Sequence, residues 1–302
     1  SFSNNSTKAN AGPDKTICIT ESTQIGGSPT ATPPPAGGAT ISGVLWTIPP
    51  SASIASTQNN PLVSPTTNTQ YRVVVVASNG CTDTDFVNVT VTPKSKVGNY
   101  TWIDTDGDGC QDTGESGING VTVTLYTSGG TVVGTATTAN NPSTGAAGYY
   151  SFDVCPGSYY VNFSKPAGYS FTGEKVCGNA VSDSDANGTT GNSMLFTIIS
   201  GQDDLTIDAG YKPLGNIRGS VLADTNNDNI GDTPMSGVTI QLKDAVTGAV
   251  VATTTTNASG NYEFLNVLAG NYVIMQVQPA GYNSVSDVDA TPDPDGNDGA
   301  TP

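Results

Sequence analysis

The side chains best equipped for chemistry lie in residues 104–115, which read DTDGDGCQDTGE. Their spacing meets the calcium-loop pattern D-x-[DN]-x-[DN]-G-x5-E at every specified position. Asp104, Asp106 and Asp108 fall at loop positions 1, 3 and 5, where carboxylate oxygens are needed. Gly109 takes position 6, where a sharp turn favours a residue without Cβ. Cys110 offers its backbone carbonyl at position 7, and Asp112 stands at position 9, a place often bridged to the cation by water. Glu115 at position 12 is the bidentate closer. Hard oxygen donors at this spacing suit Ca²⁺, whereas Mg²⁺ demands tighter octahedral geometry. Without a metal, the same residues make an acidic surface turn. The flanking stretches NYTWI (99–103) and VTVTLY (121–126) alternate with period 2, which predicts strands where an EF-hand has helices. A calcium loop between two strands is a structural clamp, not a sensor.

Three further groups of oxygen donors follow the same logic. Asp224, Asn226, Asp228 and Asp232 align with loop positions 1, 3, 5 and 9. Here Asn229 replaces the glycine, Ile230 stands at position 7 and Met235 at position 12, with three residues fewer before the next strand. Loss of the bidentate Glu predicts a weaker site. Asp183, Asp185 and Asn187 form a second cluster, expected at the same end of the fold as residues 104–115. Its counterpart is Asp287, Asp289, Asp293 and Asp295. Asp203 and Asp204 are more distant candidates for a shared multi-ion site. Asp-x-Asp pairs in Gly-rich loops also cap turns with no metal at all, so these clusters are expectations.

Composition narrows the function classes. The 302 residues carry 26 acidic and 10 basic side chains, a formal net charge of −16, and no histidine. So acidic a chain is a poor match for nucleic acid or anionic membranes. Absent histidine removes His-based triads and His metal sites. A catalytic metal keeps an open coordination position beside a base, whereas a loop supplying its own closing Glu is full, so no enzyme activity is expected. No apolar run reaches the 18 or more residues of a membrane span; residues 73–77 are about the longest. The opening SFSNNSTKAN has no basic n-region or apolar h-region and reads as a loose polar lead-in. Millimolar external Ca²⁺ and five cysteines instead point to an extracellular location.

Strand-like runs separated by Pro-, Gly- and Asn-rich turns predict an all-β fold of tandem sandwiches with boundaries at 1–94, 95–213 and 214–302. In the first unit the PPP run in TATPPPAGG (30–38) must be loop, since consecutive prolines cannot donate to a ladder. Cys18 and Cys81 are expected to form a cross-core disulfide worth roughly 4 kcal/mol, the alternative being two buried thiols. In the second unit Cys155–Cys177 is the expected pair and Cys110–Cys177 its rival, with Cys110 tucked inward as a small apolar group. The third unit repeats the second: GNIRGSVLADTNNDNIGD parallels GNYTWIDTDGDGCQD, GVTIQLKDA parallels GVTVTLYTS, and QPAGY parallels KPAGY. A duplicated unit of this length favours a stalk over a single active site.

The first unit's AGPDKTIC, Trp46–Thr47 and TQYRVVVVASNGCTDTDFVNVTV resemble Ig-like or PKD-like modules of large surface proteins in Bacteroidetes-type bacteria. The stretch VGNYTWIDTDGDGCQDTGESGINGVTVTLY, the PAGY at 166–169, SDSDANGTTG and DLTIDAGYKP resemble the calcium-binding B-repeats of staphylococcal serine-aspartate-repeat adhesins. More broadly they resemble Cna-B-like, prealbumin-type sandwiches, and the third unit fits the same group more loosely. The resemblance implies rod-like spacers stiffened by Ca²⁺ between a binding head and a surface anchor. Cna-B-like domains often carry a Lys–Asn isopeptide bond, but Phe163 and Gln276 stand at the acidic position that promotes it, so no crosslink is expected. The third unit stops short of two strands that close the second, to be supplied by continuing chain or by a neighbouring molecule. Expected partners are neighbouring modules. The alternatives are self-association into an extracellular filament by strand addition, and a glycan or protein ligand on the Ig-like module.

Overall fold

A computed structural model describes residues 6–35, 37–51 and 54–284, and every helix or strand it assigns is a β-strand. Three hydrophobic clusters divide these residues into three packing units, called modules below.

The first module is built on a five-stranded sheet. Its order is Lys15–Cys18, Thr82–Thr92, Thr69–Ala77, Ile41–Thr47 and Ile54–Ser56, with only the first pair parallel. Period-2 alternation decides which face is covered. Tyr71, Val73, Val75 and Ala77 are buried, as are Val87 and Val89, while Asn88 and Thr90 face solvent. Trp46 lies fully buried in this cluster and its indole N–H donates to the Gln58 carbonyl at 3.0 Å. Lys8–Ala9 with Ala31–Thr32, and Thr23–Gln24 with Leu62–Val63, add two small ladders.

The second module is a sandwich. One sheet has the order Val132–Thr137, Thr122–Thr127, Gly157–Phe163, Phe196–Ile198; the other has Thr101–Ile103, Ala209–Ser220, Tyr169–Phe171. Val121, Val123, Leu125, Val161 and Phe163 from the first sheet bury themselves with Val97, Ala209 and Tyr211. Trp102, fully buried, pairs in parallel with Gly210.

The third module repeats this plan with less cover. Thr239–Asp244 lies between Val250–Thr255 and Tyr272–Gln276, and Asn261–Leu268 pairs with the far half of Ala209–Ser220. That one strand serves both modules: residues 209–213 pair inside the second and residues 214–220 inside the third. No linker separates them. Among the described residues, nothing pairs with Tyr272–Gln276 as Phe196–Ile198 pairs with Gly157–Phe163. Leu222, which aligns with fully buried Trp102, is 44% exposed.

Two expected disulfides are corrected. Cys18 bonds Cys155 across the first two modules, leaving Cys81 as an exposed thiol. The reason is register. Cys18 pairs with Thr92 at one end of Thr82–Thr92, while Cys81 precedes the other end. An eleven-residue strand separates them by roughly 35 Å, far beyond disulfide reach. With Cys155 engaged there, Cys177 bonds Cys110, the rival pairing. Cys110 is therefore a crosslinked half-cystine, only partly buried, and its counterpart Ile230 is 66% exposed instead of tucked inward.

Candidate metal centre

Residues 104–115 leave the strand Thr101–Ile103 at the end of the second module that faces the third. Strand pairing fixes the stem: the Asp104 N–H donates to the Tyr211 carbonyl at 2.9 Å and the Ile103 N–H to the Ser116 carbonyl at 2.8 Å. Oxygens of Asp104, Asp106 and Asp108 lie within 4.8 Å of one another. Asp104 is fully buried. Its two oxygens accept the Gly107 N–H at 2.7 Å, the Gly109 N–H at 2.9 Å and the Thr172 hydroxyl. The Asp108 carboxylate accepts the Cys110 N–H at 2.7 Å. Glu115 reaches back across the loop, one oxygen taking the Thr105 N–H at 2.7 Å and the other the Asp112 N–H at 3.0 Å. The three Asp carboxylates therefore converge.

Glycine at position 6 has two separate causes. Gly109 has φ +87°, and a Cβ there would come within 2.2 Å of a Val176 methyl. The Cys110–Cys177 bond holds the two loops together at that point. The donor set fits Ca²⁺: three carboxylates at odd positions, a closing Glu and a left-handed glycine. Asp104, Asp106 and Asp108 are the group that could hold a metal ion; Asp112 and Glu115 are not drawn into it.

The loop in the third module reproduces this turn with other residues. Asn227 and Asn229 adopt φ +64° and +65°, where Gly107 and Gly109 stand at +80° and +87°. Asparagine visits this region more readily than other non-glycine residues. Asp224 again accepts both turn N–H groups, from Asn227 at 2.6 Å and Asn229 at 2.9 Å. The shorter loop moves one role: Asp232 takes the Thr225 N–H at 2.9 Å, as Glu115 takes that of Thr105. Those hydrogen bonds hold the Asp232 carboxyl below its ordinary range. Alignment at position 9 concealed this substitution; the three-residue deletion was the signal for it.

Asp183 and Asp185 do lie beside the first loop. The Gln111 N–H donates to the Ser182 carbonyl at 2.8 Å, and Cys110 bridges to Asp183. Both carboxylates are buried and meet Lys175, whose ammonium contacts Asp185 and lies 3.6 Å from Asp183. One Asp183 oxygen is buried with no hydrogen bond. Asp208, also buried, escaped attention in the sequence because it sits inside a strand-like run. Its carboxylate accepts the Asn99 and Tyr100 N–H groups at 3.0 and 2.8 Å, and its own N–H donates to Asp185 at 2.8 Å. Burial pushes the Asp208 carboxyl up to about 8 despite those donors. Burial also raises Asp185, against the pull of Lys175. Burial disfavours the Lys175 ammonium, but Asp185 and Asp183 together raise its pKa.

Other candidates are not brought in. The Asn187 amide donates to Glu174 at 3.0 Å while its oxygen takes the Thr189 and Thr190 N–H groups, a turn-capping role. Asp203 and Asp204 lie at the opposite end of the module, beside Lys96 and Val97. Asp287, Asp289, Asp293 and Asp295 lie outside the described residues.

The sequence profile of the SdrD B-like domain matches residues 95–211 and again 214–301. Serine-aspartate repeat-containing protein F of Staphylococcus epidermidis is 39% identical over 220 residues, covering 70% of this chain and 12% of that protein. Serine-aspartate repeat-containing protein D of Staphylococcus aureus strain Newman is 37% identical over 238 residues, covering 74% of this chain and 17% of that one. The chain thus spans less than a fifth of either relative. Among solved structures, the Bacillus anthracis TIE protein is similar at 12% identity and a TM-score of 0.32, over 93% of this chain and 53% of that one. The minor pilin GBS52 of Streptococcus agalactiae is similar at 13% identity and a TM-score of 0.26, over 63% and 85%. Likeness that faint carries nothing further here. With two profile matches across most of its length, beginning at Ser95, the chain belongs to the SdrD B-like domain family.

Proposed function

We propose that this chain is a stalk segment of an extracellular bacterial surface protein, non-enzymatic, whose modules are braced against one another by calcium. The observation that carries the reading is the position of residues 104–115. Asp104, Thr105, Asp106 and Gly107 face Lys212, Pro213, Leu268 and Ala269 across a cleft of about 120 Å³ between the second and third modules. The strand Ala209–Ser220 crosses that cleft unbroken. A cation in the loop would stiffen the stem of this strand, and with it the angle between modules. Extracellular modules of this type bind Ca²⁺ at about 10⁻⁴–10⁻³ M, matching its level outside cells.

The test is the shape of the 302-residue chain by small-angle scattering, in about 2 mM Ca²⁺ and in excess EDTA. A longer, better-defined particle with calcium is expected. Identical scattering curves would sink the reading.

Asp183, Asp185 and Asp208 are proposed as a second calcium-responsive cluster in which Lys175 competes with the metal. Exchanging Lys175→Gln removes an ammonium in contact with Asp185, a difference of about 1–2 kcal/mol in cation attraction, or roughly tenfold in affinity. Calorimetric titration should record tighter or additional uptake. Unchanged binding would mean that Lys175 alone neutralises the cluster.

A further inference from the structure

We infer that the Cys18–Cys155 disulfide is a mechanical shunt: under tension it carries load directly from the first module into the second and keeps the first-module strands between those residues from being drawn out. The bond joins positions 137 residues apart in sequence whose Cα atoms are 5.7 Å apart.

Its placement decides what is shielded. Cys18 ends the strand Lys15–Cys18 and pairs with Thr92, the last residue of the strand by which the chain leaves the first module. Cys155 lies between Phe152–Val154 and Gly157–Phe163, so force arriving there enters a strand flanked by partners on both sides. The bond thus joins the end of one strand to the short connection between two others. The Cys18 N–H donates to the Glu21 carboxylate at 2.8 Å, and the Tyr159 hydroxyl donates to the Cys155 carbonyl at 2.8 Å. Burial and the neighbouring Glu21 carboxylate both raise the Tyr159 phenol.

A pull on the chain ends therefore passes from residue 18 to residue 155 through sulfur. The strands Ile41–Thr47, Thr69–Ala77 and Thr82–Thr92 lie off that path. The second bond, Cys110–Cys177, ties residues 104–115 to the loaded segment, so this loop shares the load. Non-covalent contacts between modules can part under load, whereas the covalent bond holds. The shunt is independent of calcium, and on the stalk reading it shields the first-module strands that follow Cys18.

The experiment is single-molecule stretching of the full chain between handles at its two ends, oxidised and after a dithiol reductant. The dithiol supplies two electrons and two protons per bond, yielding two thiols and its own cyclic disulfide. Full reduction should lengthen the extended chain by roughly 450 Å, the reach of the 137 residues between the bonded cysteines. Cys18→Ser with Cys155→Ser should lengthen it by only about 230 Å, because Cys110–Cys177 still withholds its own separation of 67 residues. Extended length does not depend on whether the variant folds, so a misfolded variant still reports. Cys81→Ser should change nothing. A gain of about 200 Å with Cys81→Ser would assign Cys18 to Cys81 and overturn the shunt, as would no gain in the Cys18/Cys155 variant. Loss of calcium response in the scattering test leaves these lengths unaltered, so the two readings fail separately.

Discussion

Thermal unfolding of the second module shifts upward by about 5–8 °C when roughly 2 mM Ca²⁺ replaces excess EDTA, and Asp104→Ala with Glu115→Ala abolishes the shift: this is the expected result. With a dissociation constant of about 10⁻⁴ M and about 1–2 mM calcium, mass action on one site stabilises by roughly 1.5 kcal/mol. The variant loses more than the metal. Asp104 is buried and takes two backbone N–H groups and the Thr172 hydroxyl; alanine leaves those donors without it. Unsatisfied buried donors cost about 1–3 kcal/mol, so the metal-free variant should also melt below the metal-free parent. Asp104→Asn separates the two effects, since an amide oxygen still accepts but contributes no charge. It should melt closer to the parent in EDTA and still ignore calcium. A parent protein indifferent to calcium would leave the loop as a self-capped acidic turn.

Trp102→Ala should cost about 3–5 kcal/mol, read as a fall in the denaturant midpoint of the second module. Trp102 is fully buried, and the chain around it is cut to fit. A Cβ on Gly210 would lie 2.7 Å from the indole ring and 2.5 Å from a Thr172 methyl. The residue also bridges to Gly117 just beyond the loop, so removing the ring loosens both stems that hold residues 104–115. Calcium affinity should fall with stability. Trp102→Phe, which keeps part of the volume, should cost less than half as much. Leu222→Ala at the equivalent place in the third module should cost under about 1 kcal/mol, because Leu222 is already 44% exposed. Equal losses at the two positions would mean that the third module packs like the second.

Much of this molecule is local, and local features were legible. Alternation in residues 121–126 set Val121, Val123 and Leu125 on one face, and that face is the covered one, because a strand turns successive side chains to opposite sides. The positions of Asp104, Asp106, Asp108, Gly109 and Glu115 named the loop, since its acidic residues and its left-handed glycine follow one another within a dozen residues. The duplication of the second module in the third was visible for the same reason.

What tertiary structure decided is whatever joins distant residues. Spacing could not pair the cysteines: Cys18 meets Cys155 only because parallel pairing puts Cys18 beside Thr92, where the chain crosses into the next module. Asp208 joins Asp183 and Asp185 only because a strand far along the chain runs beside their loop, and Lys175 enters through a turn with no motif of its own. Asp232 stands in for the missing glutamate because a shorter loop brings its carboxylate to the Thr225 N–H, and length alone does not say which acid will reach. The periodicities of single strands are written in adjacent residues. Contacts between strands depend on register and topology, which only packing of the whole sheet selects.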